Sequence, residues 1–85
     1  MSTVASQVTV ADTAAILIVK APQYQEVNVH VTGTIYLGGS TVSNTTGYKM
    51  DNGDKVNFTL APNTDLYAVS AAGSTPTAYL VVTLL

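Results

Sequence analysis

The stretch Glu26-Val27-Asn28-Val29-His30-Val31-Thr32-Gly33-Thr34-Ile35-Tyr36-Leu37 decides the fold class. Successive side chains of a strand point to opposite faces, so strict alternation marks a strand buried on one side. Val27, Val29 and Val31 share one face, and Glu26, Asn28 and His30 share the other. Beyond Thr32-Gly33 the alternation resumes with Ile35 and Leu37 together. Read as a hairpin with Val31-Thr32-Gly33 as a three-residue loop and Gly33 left-handed, it sets Val29 opposite Ile35 and Val27 opposite Leu37. A two-residue Thr-Gly loop would set Val29 against Tyr36, so parity favours the longer loop.

The same arithmetic applies downstream. Gly38-Gly39-Ser40 ends the second strand, and Thr41 to Thr46 is polar and loop-like before Gly47. With Asp51-Asn52-Gly53 as another three-residue loop, Met50 comes opposite Asp54 and Tyr48 opposite Val56. Phe58 and Leu60 continue that face, so Tyr48 is expected in the core. Ala61 to Asp65 is a turn, Leu66–Ser70 a short strand, and Ala71–Pro76 a connection. Thr77–Leu85 carries Ala78, Leu80, Val82 and Leu84 on one face and Tyr79, Val81, Thr83 and Leu85 on the other, which suits a central strand or one at an interface. Ala14 to Lys20 is a continuous apolar run, expected to be buried on both faces or at a subunit contact. Val4 to Val10 is polar, and an extended arm and a strand both fit it. The sum is an all-β chain of about seven strands with no helix, a small antiparallel β-sandwich or barrel. Residues 1–12 form an N-terminal arm or weak strand and residues 13–85 a single β domain.

Composition narrows the function classes. Eighty-five residues hold one modest core, and 47% apolar against 9% charged residues argues against disorder. A net charge of −2, with Lys20, Lys49 and Lys55 as the cations and no arginine, leaves little to neutralise phosphates, so no nucleic-acid partner is expected. With no cysteine, neither disulfides nor thiolate metal sites are available. Packing must hold the domain, alone or against copies of itself. The longest apolar run, Ala14–Val19, falls far short of the roughly 20 residues of a membrane helix. No secretion signal or membrane association is expected.

Chemistry is sparse. Asp51 and Asp54 flank an Asn-Gly turn, which their turn propensity explains, and no calcium loop surrounds them. His30 is the single histidine and sits on the polar face of its strand. No Gly-x-Ser-x-Gly elbow is present to supply a nucleophile. Gly38-Gly39-Ser40 lacks the ending of a phosphate loop. The acceptor patterns at Asn44 and Asn57 read as chance in a chain rich in Asn and Thr. Tyr24, Tyr36, Tyr48, Tyr67 and Tyr79 suit core or interface packing better than a sugar platform. An enzyme is not expected, and no cofactor or metal.

Thr34-Ile35-Tyr36-Leu37-Gly38-Gly39-Ser40, Val42, Thr46-Gly47-Tyr48, the turn before Val56, and Leu66-Tyr67-Ala68-Val69-Ser70 together resemble a pattern in small β-sandwich virion proteins of tailed bacteriophages. The resemblance spans roughly residues 27–70. It departs at Lys49-Met50, where the pattern has Pro-Leu, and at Asp51-Asn52-Gly53-Asp54, where it has a Gly-Glu turn. It implies a capsid decoration (cement) protein that stabilises the mature head shell. The implied partners are the major capsid protein and further copies of the chain, with a trimer favoured, and the implied location is the capsid exterior after synthesis in the host bacterial cytoplasm. The alternative is a carbohydrate- or receptor-binding module of a phage fibre, tail or cell surface. The expected contact residues are Ile16, Leu17, Ile18, Val19, Tyr36, Tyr79 and Val81.

Overall fold

Short alternating stretches become strands throughout the computed structural model, which describes residues 3–85. These are β1 (Thr3–Thr9), β2 (Ala15–Ile18), β3 (Gln25–Thr32), β4 (Ile35–Gly38), β5 (Tyr48–Met50), β6 (Lys55–Leu60), β7 (Leu66–Ser70) and β8 (Thr77–Leu84). They form two four-stranded sheets, a front sheet in the order β1-β8-β3-β6 and a back sheet in the order β2-β7-β4-β5. All neighbours are antiparallel. The pairings are nested: β1 with β8, β2 with β7, β3 with β6 and β4 with β5. The chain is thus one long hairpin with its tip at residues 39–47, folded over on itself into a β-sandwich of jelly-roll type.

Neither expected hairpin forms. β3 and β4 lie in different sheets, and so do β5 and β6. Val29 pairs with Val56 on one side and Leu80 on the other, while Ile35 pairs with Met50 and Ser70. Thr32 to Thr34 and Asp51 to Asp54 are arches from one sheet to the other. Alternation reports which side chains face the core, and an arch between two sheets that share a core preserves parity just as a hairpin does. The left-handed glycine is present, with Gly33 at φ 119° and Gly53 at φ 87°. A Cβ on Gly33 would fall 2.5 Å from Pro76 Cβ. The two arches are tied together. The Gly53 amide donates to the Val31 carbonyl at 2.8 Å, the Val31 amide to the Asp54 carbonyl at 3.2 Å, and the Gly33 amide to Asn52 Oδ1 at 3.0 Å.

The core lies between the sheets and includes Val27, Val29, Val31, Ile35, Leu37, Met50, Leu60, Ala68, Ala78 and Leu80. Burying each large aliphatic side chain contributes about 1.5–3 kcal/mol. Met50 is 1% exposed, yet Tyr48, two residues earlier on the same face, is 63% exposed, contrary to its expected place in the core. β5 is only three residues long and is the edge strand of the back sheet, and Tyr48 stands at its first position, opposite Leu37. The apolar run at β2 is divided: Leu17 and Ile18 are both buried although adjacent, because the β2–β7 register shifts between Ile16 and Ile18. β8 is a central strand between β1 and β3. The stretch Val4 to Val10 is ordered as strand β1 (Thr3–Thr9) followed by Val10 in the core; Met1 and Ser2, the start of the 1–12 segment, lie outside the described residues.

Candidate assembly surfaces

The two outer faces of the sandwich differ. On the back sheet, the loop of residues 39–47 folds over Tyr36 and Val69. Val42 from that loop is buried, and a Cβ on Gly47 would meet Tyr36 Cβ at 2.6 Å and Val42 Cγ2 at 2.7 Å. Among the described residues the front sheet carries no such cover. Its outer face is laid out in cross-strand rows, Gln7–Tyr79–His30–Lys55 and Ala5–Val81–Asn28–Asn57. Together these rows line an open groove of about 540 Å3. Tyr79 and Val81, 39% and 40% exposed, form its apolar floor. Tyr79 lies against His30 with ring centroids 6.0 Å apart and a 34° tilt, and Asn57 Nδ2 donates to Asn28 Oδ1 at 2.8 Å. Glu26, His30 and Lys55 are the ionisable groups of the β3 and β6 outer face.

The flanks form a second uncovered surface. On one, β1 and β2 run over each other and leave a slit of about 280 Å3 lined by Val4, Leu17, Val19, Val82 and Leu84. Val4 is 61% exposed and Val19 68%; Ile16, paired with Tyr67, is exposed on the outer side of β2. On the opposite flank, Val56 and Phe58 of β6 are only half-buried, because the short β5 beneath them covers little, and Tyr48 stands in solvent. Apolar side chains thus line both seams where the two sheets end.

The expected contact residues separate accordingly. Leu17 and Ile18 belong to the chain's own core and Tyr36 lies half-buried under its own loop, so these three are occupied within the chain. Val19 is on the β1–β2 flank, Ile16 is on the outer side of β2, and Tyr79 and Val81 are on the front face. Sequence reasoning did not single out Val4, Val56 and Phe58. Val4 falls in a stretch read as a polar arm or strand, the alternation of Val56 and Phe58 reads as core, and only the pairing order shows that all three lie on edge strands. Asp51 and Asp54 close their turn, with Asp54 Oδ2 accepting the Asp51 amide at 2.8 Å and the Asp54 amide donating to the Asp51 carbonyl at 3.0 Å. No group of three or more His, Asp or Glu residues placed to hold a metal ion occurs among the described residues.

No family model matches the chain, and no curated protein matches it to significance. Among solved structures, a Bacillus endospore appendage protein, from a family of disulfide-linked pili, superposes with a TM-score of 0.67 at 21% identity. The match covers 95% of this chain and 81% of the other. At that identity the likeness shows the fold. It overturns the expectation of a phage capsid decoration protein, because the solved relative in shape is an appendage pilus protein and not a head protein. The residues that carry the phage resemblance have structural places in this fold. Leu37, Ala68 and Ser70 fill the interior, and Gly47 and Val42 fit the tip loop onto the back sheet. They specify packing that this fold needs in any role.

Proposed function

We propose that the chain is a structural subunit that assembles with copies of itself into a homopolymer, held without covalent links between subunits. The observation that carries this reading is the pair of open flanks, each with a sheet edge above a seam of exposed or half-buried apolar residues: Val4 and Val19 on one side, Phe58 and Tyr48 on the other. A sheet edge presents unpaired amides and carbonyls, and proteins that remain monomeric blunt such edges with charge, proline or cover. β1, Thr-Val-Ala-Ser-Gln-Val-Thr, has none of these. The likeness to a pilus protein supports the same reading.

Its mode of linkage differs from that of the pilus family. That family is described as disulfide-linked, whereas the 85 residues here hold no cysteine. Contacts between subunits therefore rest on backbone hydrogen bonds and apolar burial, and reductant leaves the assembly intact. No group in the chain is assigned a catalytic role. Sedimentation velocity over a hundredfold concentration range, with negative-stain microscopy of the densest fraction, tests the reading. Growth into regular particles or filaments is expected, and a single monomeric species at every concentration would refute it.

A further inference from the structure

We propose that, within such an assembly, β6 of one copy pairs antiparallel with β1 of the next, so that the front sheet runs on from subunit to subunit. This deepens the self-assembly reading and rests on it. Of the four sheet edges, β1 with seven residues and β6 with six are the longest, and both pair inward without a shift in register. The other two are poor templates. β2 has four residues and a register shift, and β5 has three.

Polarity favours this junction. In an antiparallel sheet of four strands the two edges run in opposite directions, so a neighbour in the same orientation brings its β1 antiparallel to β6. Side-chain parity agrees. Thr3, Ala5, Gln7 and Thr9 face outward on β1, as do Lys55, Asn57 and Thr59 on β6, so the outer faces of successive copies continue on one side. The contact sets the flank bearing Val56, Phe58 and Tyr48 against that bearing Val4 and Val19, covering both seams at once. Lys55 is the one charged residue of the two strands, so no like-charged pair opposes them. A two-fold β1–β1 or β6–β6 contact would close a dimer with one flank of each copy still bare, whereas the head-to-tail contact uses both and propagates.

The absence of native cysteine makes disulfide trapping direct. Ala5 and Asn57 are exposed on opposite edges of one sheet, three strand spacings or about 14 Å apart, too far to bridge within a copy. In the full chain, Ala5→Cys with Asn57→Cys, and the register-shifted pairs Thr3→Cys with Asn57→Cys and Gln7→Cys with Asn57→Cys, are oxidised at a concentration where the unmodified chain sediments as an oligomer. At least one pair is expected to give a ladder of dimer, trimer and higher species on a non-reducing gel, while Asn57→Cys alone gives none. Oligomer by sedimentation with no ladder from any pair would overturn this junction and leave the self-assembly reading intact. Dimers from Ala5→Cys alone, with no ladder from the pairs, would assign the contact to β1–β1 and overturn it equally. An unmodified chain that is monomeric throughout would remove both the reading and the junction.

Discussion

At Gly33 a positive φ and a close neighbour coincide, and the two contributions to its importance can be separated by comparison with Gly53. Gly33 has φ 119° and no room for a Cβ beside Pro76, whereas Gly53 has φ 87° and open space. Gly33→Ala should therefore incur both backbone strain and overpacking, roughly 2–4 kcal/mol in urea denaturation, and Gly53→Ala the strain alone, roughly 1–2 kcal/mol. Equal losses at the two sites would show that Pro76 moves aside freely. Ser70, 1% exposed, gives a second local test. Its amide donates to the Ala11 carbonyl at 2.8 Å and its hydroxyl to the Ser74 carbonyl at 2.7 Å, with the Ala71 carbonyl at 3.0 Å. Ser70→Ala is expected to cost about 1–2 kcal/mol, because the hydroxyl is a buried donor between two carbonyls of the β7–β8 connection. The sequence identified the need for a left-handed glycine at Gly33, since only local geometry was at stake. It could not identify Pro76, 43 positions along, as the neighbour.

Strand positions and inward faces were readable from the alternation, while partners were not. Val27, Val29 and Val31 face the core as their spacing requires, and β8, apolar on both sides, is central. Both anticipated hairpins turned out to be arches, because parity is the same for two strands in one sheet and for two strands facing each other across a core. The β2 run gives the sharpest test at this level. Its bulge buries Leu17 and Ile18 in succession and turns Ile16 out. Ile18→Ala should cost about 2–4 kcal/mol, and Ile16→Ala less than about 1 kcal/mol, in the same denaturation assay. A continuous run read without the bulge would give Ile16 and Ile18 equal weight, and equal losses would contradict the register described here.

For the molecule as a whole, the candidate surfaces were legible only in part. Tyr79, Val81, Ile16 and Val19 are exposed, but Leu17, Ile18 and Tyr36 are taken up by the chain itself. The edges that carry the proposed assembly depend on which strand ends each sheet, and that property belongs to the pairing order and not to any segment's composition. Few charges are available to attract or repel a neighbour, so association driven by the flanks should change little between 50 mM and 500 mM salt, to within about a factor of three in midpoint concentration. A strong loss of association over that range would point to ion pairs in place of apolar burial and strand pairing. The most direct measurement is sedimentation velocity of the purified chain across a hundredfold range of concentration, with and without reductant. Self-assembly predicts species that grow with concentration, are indifferent to reductant, and are lost when Val4 and Phe58 are replaced together by aspartate in a chain that keeps its β circular dichroism. A sharp monomer boundary at every concentration would contradict it.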